Sequence, residues 1–263
     1  MPKVVCISLM LAATAFAADK GVLLENLSWV EAEKVLRPET VVVIPIGAES
    51  KEHGPHLPLR TDFYEAQYLT KRILEQSNVV VAPTVNYNYY PAFVEYPGTT
   101  TLRLETARDL MIDICTNLAR YGPHRFYFLN TGVSTLRPLR LAAEELRKQG
   151  IVMSFTDLSV ATQPAEDRIK KEEGGTHAEE IETSMMLFIA PEVVDMKKAV
   201  KDYHEGSGGL TRDPKGRGSY SASGIYGDAT LATREKGEQI MNQMVVNIAA
   251  DIEKLRAAPL PSK

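Results

Sequence analysis

Apolar residues recur along the chain in two rhythms. Short runs that are apolar almost throughout, Val41–Ile46, Val79–Ala82, Arg125–Leu129 and Ile151–Phe155, alternate with longer stretches in which apolar positions return every three or four residues: Phe63–Gln76, Glu105–Tyr121 and Leu136–Gln149. The runs predict strands buried on both faces, and the longer stretches predict helices with one apolar side. A repeated β-α order of this kind predicts an α/β fold, a three-layer α/β/α sandwich with a mostly parallel sheet. Ligands of such sheets sit beyond the carboxyl ends of the strands. That rule singles out Gly47–Asp62, Asn130–Thr135 and the segment that reaches His177.

Composition narrows the class. The chain has 263 residues, a length that one core still accommodates, and no linker or repeat divides it. Acidic residues (34) and basic residues (30) are mixed throughout and leave a formal charge of -4, which disfavours a nucleic-acid surface. Val4–Ala18 carries no charge, follows Lys3, and ends in Ala15-Phe16-Ala17-Ala18 before Asp19. This run is too short to cross a bilayer, for which about 20 residues are needed, and its small-residue ending predicts a signal peptide cleaved after Ala17 or Ala18. The expectation is therefore a signal peptide over 1–18, a single domain over 19–263, a secreted or periplasmic location, and no membrane association after cleavage. Cys6 then leaves with the peptide, and Cys115 on its predicted helix is a buried thiol without a disulfide partner. The Gly206–Gly218 stretch follows no strand-Gly-x-Gly-x-x-Gly-helix pattern and predicts a surface loop, and there is no Gly-x-Ser-x-Gly elbow.

Candidate chemistry concentrates at the first strand end. Glu49, Glu52, His53, His56 and Asp62 place hard oxygens beside imidazole nitrogens, a set suited to Zn, Mn or a pair of such ions. Gly54, Pro55 and Pro58 prevent a regular helix there, so the chain can fold back and bring together His53 and Asp62, nine residues apart. Asp62 also stands where a helix starts and can cap it. Further on, Thr176 and Glu179 have capping-box spacing, which predicts His177 at the first helical position and, beside the positive end of the helix dipole, neutral at pH 7. A neutral ring can bind a metal or accept a proton. Ile181, Met185 and Phe188 form a core stripe, while Glu182 lies off it and is free to face the site. Tyr87–Phe93 is aromatic enough to wall a small-molecule pocket or to pack at a subunit contact.

These residues resemble the creatininase (creatinine amidohydrolase) family of metal-dependent hydrolases. The resemblance is carried by Glu52-His53-Gly54-Pro55-His56-Leu57-Pro58-Leu59 with Thr61-Asp62, by Tyr96-Pro97-Gly98-Thr99-Thr100, and by His177-Ala178-Glu179-Glu180-Ile181-Glu182-Thr183-Ser184. Ser223–Asp228 running into Ala232–Gly237 extends it over most of the chain. It implies a three-layer fold, a centre of one or two Zn or Mn ions per chain, hydrolysis of a C–N bond in a cyclic amide or related small molecule, and a homo-oligomer, frequently a hexamer. His53 and Asp62 match the family's metal-binding histidine and bridging aspartate, and His177 matches its proton-transferring histidine.

Two positions depart from the family pattern. Where the family has Glu two residues before the first histidine, this chain has Lys51; Glu52 is the expected replacement ligand, with Glu49 in reserve. Where the family reads Asn-Gly-His-Gly-Gly-Asn, this chain reads Asn130-Thr131-Gly132-Val133-Ser134-Thr135 and lacks the histidine. His124 cannot substitute, since it precedes a strand whose far end is about 20 Å away at roughly 3.3 Å per residue, and His204 reads as a surface residue. The expected centre is thus one ion on Glu52, His53 and Asp62, with His177 moving a proton and Glu182 orienting it. Two other readings follow from the same residues: a catalytically degenerate protein that binds a metal or small ligand, and a hydrolase of ring ketones or lactones of modified sugars.

Overall fold

A computed structural model describes residues 21–261. The proposed signal segment 1–18, with Cys6, lies outside the described residues. The main sheet has five parallel strands in the order β1-β3-β2-β4-β5, with β1 Val22–Leu23, β2 Val41–Ile46, β3 Val80–Val81, β4 Arg125–Asn130 and β5 Val152–Phe155. The centre is long and the edge short: β2 and β4 pair along their whole length from Val41–Arg125 to Ile46–Asn130, whereas β1 and β3 share two residue pairs.

Alternation along these strands sorts side chains onto two faces. Val41, Val43, Tyr127 and Leu129 pack against α2 (Thr61–Gln76), α7 (Glu180–Ile189) and α8 (Arg234–Ala257). Val42, Ile44, Phe126 and Phe128 pack on the other face against α3 (Leu104–Ala119) and α4 (Leu136–Arg147), where Cys115 is buried. Every residue of β2 is buried because helices cover both its faces. The stripe of Ile181, Met185 and Phe188 joins the first of these cores. Gly237 lets α8 lie directly on α7, since a Cβ there would collide with the carbonyl oxygen of Ser184.

Several shorter elements complete the chain. α1 (Trp29–Val35) precedes β2; α5 (Leu158–Ala161) and α6 (Gln163–Ile169) follow β5. Two small ribbons, β6 (Lys201–Asp202) with β9 (Gly227–Asp228) and β7 (Leu210–Thr211) with β8 (Ser219–Tyr220), come after α7. The predicted Gly206–Gly218 loop is largely exposed and contains β7.

Candidate metal centre

Beyond Ile46 the chain makes a closed loop before α2. The Lys51 N–H donates to the Leu59 carbonyl at 3.1 Å, and Gly54 adopts φ +69°, a conformation that a side chain would strain. α2 then starts at Thr61, which places Asp62 in its first turn and Glu65 one turn later on the same face. The aspartate, the loop lysine and the loop histidine meet there. Lys51 Nζ lies 2.9 Å from Asp62 Oδ1 and 2.8 Å from Oδ2, and all three groups are buried. His53 Nδ1 is 2.9 Å from the Lys51 carbonyl oxygen, while Nε2 is 2.9 Å from Asp62 Oδ1 and 3.5 Å from Glu182 Oε1. A carbonyl only accepts, so Nδ1 carries the ring hydrogen and Nε2 is turned to two carboxylates. Such a nitrogen needs a second proton or a cation.

His177 arrives from the opposite side. It is held extended before α7: the Tyr226 N–H donates to its carbonyl at 2.9 Å, and the Thr176 N–H donates to the Tyr226 carbonyl at 2.9 Å. The cap of α7 is Glu179, whose carboxylate accepts from the Ile181 N–H. This corrects the capping-box expectation, because strand-like pairing with Tyr226 takes His177 out of the helix. Between them Ala178 adopts φ +50°, a conformation costly for a residue with a Cβ, and its N–H donates to Glu182 Oε2. His177 Nε2 is 2.9 Å from Glu52 Oε1 and 3.0 Å from the Glu52 carbonyl oxygen, so it donates there and leaves Nδ1 facing Glu182 Oε2 at 3.5 Å. Phe93 covers the imidazole at 4.3 Å between ring centres.

Electrostatics follow from these neighbours. Burial alone would lower the pKa of His177, but Glu52 and Glu182 outweigh it and the pKa is raised. The two carboxylates thus act against the lowering expected from the helix dipole. Burial opposes ionisation of Asp62 and Glu182, yet Lys51 and His53 hold Asp62 well below the usual carboxylate range, and His53, His177 and Lys51 lower Glu182. Lys51 resists the effect of burial because Asp62, Glu182 and Glu65 keep its pKa raised. Glu65 goes the other way. Burial, followed by the charges of Glu182 and Asp62, pushes its pKa well up, and its Oε1 has no hydrogen-bond partner. Two sets of donors converge within 4.8 Å: His53, His177 and Glu182, and Asp62, Glu65 and Glu182. Glu65 and Glu182, with Thr131, also line a cleft of about 420 Å³ bordered by α5 and α6, within the size range of small-molecule sites.

The sequence profile of the creatininase family, described as creatinine amidohydrolase, matches residues 25–252. The chain belongs to this family. Creatinine amidohydrolase of Pseudomonas putida is 29% identical over 257 residues, covering 90% of this chain and 98% of that one. A mycofactocin precursor peptide peptidase of Mycolicibacterium smegmatis is 28% identical over 81% and 85% of the two chains, and a 3-dehydro-scyllo-inosose hydrolase of Thermotoga maritima 24% identical over 92% and 87%. A solved creatininase described with Mn superposes with a TM-score of 0.76 at 26% identity, covering 91% of this chain and all of that one. A mutant creatininase of Zn-Zn type gives 0.74 at 27% identity, with coverage of 91% and 100%. The family is hydrolytic, these two solved creatininases carry Mn and Zn respectively, and the α/β fold expected from sequence is the fold they share.

Measured against the creatininase pattern, His53, Asp62, His177 and Glu182 come together, and Glu52 stands one step outside them. Its carboxylate turns away to His177 and to the Gly54 N–H, in space left by Gly224, where a Cβ would strike Glu52 Oε2. Glu49 is outside the centre, paired with Arg60 at 3.2 Å and with the Asn86 amide at 2.8 Å. His56 donates to or accepts from Thr183 Oγ1 at 2.7 Å, His204 is an exposed partner of Asp202, and His124 bonds the Gly122 carbonyl at the far end of β4. The Asn130–Thr135 turn supplies no metal-type ligand; Thr131 Oγ1 instead donates to the carbonyls of Ile46 and Asp62. Sequence reasoning missed Glu65, whose signal was its spacing of three from Asp62 at a helix start. Of the aromatic segment Tyr87–Phe93, Phe93 lies against His177, and Phe93 and Tyr90 lie beside Lys51.

Proposed function

We propose that the protein is a metal-dependent amidohydrolase that cleaves a C–N bond of a cyclic amide or related small molecule, using one Zn or Mn ion held by His53, His177 and Glu182. One observation carries this reading: two imidazoles whose outer nitrogens are committed to Lys51 and Glu52 turn their other nitrogens toward one carboxylate. The donor set fits a divalent ion, since ligating histidines commonly donate their other N–H to a carbonyl or carboxylate, which fixes the tautomer. Bound there, the ion supplies Lewis acidity toward a carbonyl oxygen and toward water.

The chain's own groups account for the rest. Glu52 holds the His177 ring in place, and the Phe93 face keeps bulk water off it. Glu65, whose carboxyl is biased toward its protonated form by burial and by the charges of Glu182 and Asp62, borders the cleft beside Glu182 and hands its proton to the leaving nitrogen as the C–N bond breaks. Water adds its oxygen to the acyl carbon, and its proton returns to the carboxylate pair. A second reading assigns the ion to His53, Asp62 and Glu182 and the proton transfer to His177. It is favoured by the Glu52–His177 bond, which raises the ring's affinity for a proton.

Elemental analysis separates the two. His53→Ala should lose the ion under either reading. His177→Ala should lose both ion and turnover under the first, and turnover alone under the second. Full metal content in both variants would sink the site. The named activities of the Mycolicibacterium and Thermotoga relatives make short peptides and cyclic sugar ketones the competing substrate classes. Release of an amine supports C–N cleavage, and release of a carboxylate alone supports the ring-ketone or lactone alternative.

A further inference from the structure

We propose that the Lys51 ammonium is a resident cation that takes the place of a second divalent ion, and so fixes the centre at a single metal. The proposal deepens the one-ion reading, and it concerns the other set of donors, Asp62, Glu65 and Glu182. Those three carboxyl groups are close enough to grip an ion, yet the space beside Asp62 is already taken. Lys51 Nζ bonds both oxygens of Asp62, at 2.9 and 2.8 Å. A divalent ion on the same carboxylate would share its oxygens with the ammonium and meet a like charge at contact distance, where buried charges are poorly screened.

The lysine is not a mobile surface group that an ion could displace. It is 4% exposed. Its N–H is tied to the Leu59 carbonyl, and its own carbonyl accepts from His53 Nδ1, so the loop that positions the histidine also positions the ammonium. Its charged end lies 5.1 Å from the Phe93 ring centre and 5.8 Å from that of Tyr90, which close the space around it. The neighbouring strand end adds no competing ligand, because Gly132 carries no side chain and the Tyr90 ring lies 4.0 Å from where its Cβ would be. Lys51 thus holds Asp62 in place and supplies positive charge to Asp62 and Glu182, without a second ion.

The test is the number of ions bound per chain. The full mature protein, stripped of metal, is titrated with ZnCl2 or MnCl2 alone by calorimetry and checked by elemental analysis, beside Lys51→Glu and Lys51→Gln. The expected result is one ion in the wild type and two in Lys51→Glu, with Lys51→Gln gaining a second, weaker event. Two ions in the wild type overturn the proposal, as does a count unchanged in both variants when their thermal melts show them folded. If Lys51→Glu fails to fold, the count for Lys51→Gln decides. No ion in the wild type with one in Lys51→Glu would uphold the role of Lys51 and overturn the one-ion reading instead.

Discussion

The loops that follow β2 and β4 leave adjacent strands at the same level, Ile46 paired with Asn130, and they are built from opposite chemistry. The β2 loop and the start of α2 bury Lys51, Glu52, His53, Asp62 and Glu65. The β4 loop buries amides and hydroxyls that satisfy one another: the Asn130 amide donates to the Gly132 carbonyl at 2.7 Å, and Thr135 Oγ1 donates to the same carbonyl at 2.7 Å. Of these two loops, the first brings buried charge to the candidate centre and the second braces it through Thr131, while His177 and Glu182 come from the segment entering α7. The difference teaches that neighbouring strand ends of one sheet can be built for different tasks, one to carry buried charge and one to hold it in place. On the charged side Lys51 neutralises Asp62.

The contrast can be broken at its charged side first. Lys51→Met strands the buried Asp62 carboxylate, and removing one partner of a buried ion pair typically costs about 3–5 kcal/mol. The urea midpoint should fall accordingly and recover in part when Zn or Mn is added. The bracing side should respond differently. Thr131→Val leaves the Ile46 and Asp62 carbonyls without their hydroxyl donor, a loss of roughly 1–3 kcal/mol, with ion content unchanged. A fall in ion content equal to that of His53→Ala would show that the two loops are not divided in this way.

A smaller effect comes from His56, which sits on the charged side but outside the donor sets. Its ring is pushed down to about 4, chiefly by burial, with His53 and His177 acting in the same sense and Glu182 opposing. An unfolded chain takes up this proton near the ordinary value of about 6.5. The unfolded state therefore binds more protons between these values, so the contribution of neutral His56 is full above about 6.5 and is lost as pH falls toward 4. Thermal melts at pH 7.5 and 4.5 should differ less in His56→Gln than in the wild type.

Much of this was legible in the residues themselves. Val41–Ile46 could only be a covered central strand, and Gly54, Pro55 and Pro58 forced the turn that brings His53 to Asp62. Local patterns failed where distant chain intervened. Thr176 and Glu179 have the spacing of a helix cap, but Tyr226 pairs with His177 first. Glu52 has the chemistry of a ligand, but the space above Gly224 lets it turn to His177. Glu65 reads as an ordinary polar helix position until the fold lays α2 against α7 and removes water from that face. Lys51 stood out as a substitution for a ligand, while its partnership with both Asp62 oxygens is a matter of three-dimensional placement.

The most direct test of the central claim is hydrolysis of a panel of cyclic amides and short peptides, followed by released amine, before chelation, after removal of the chelated ion, and after stepwise return of Zn or Mn. Turnover should disappear with the ion and return fully at one equivalent per chain. Turnover that survives complete removal of metal, or a protein that rebinds the ion and hydrolyses nothing in the panel, would contradict that claim.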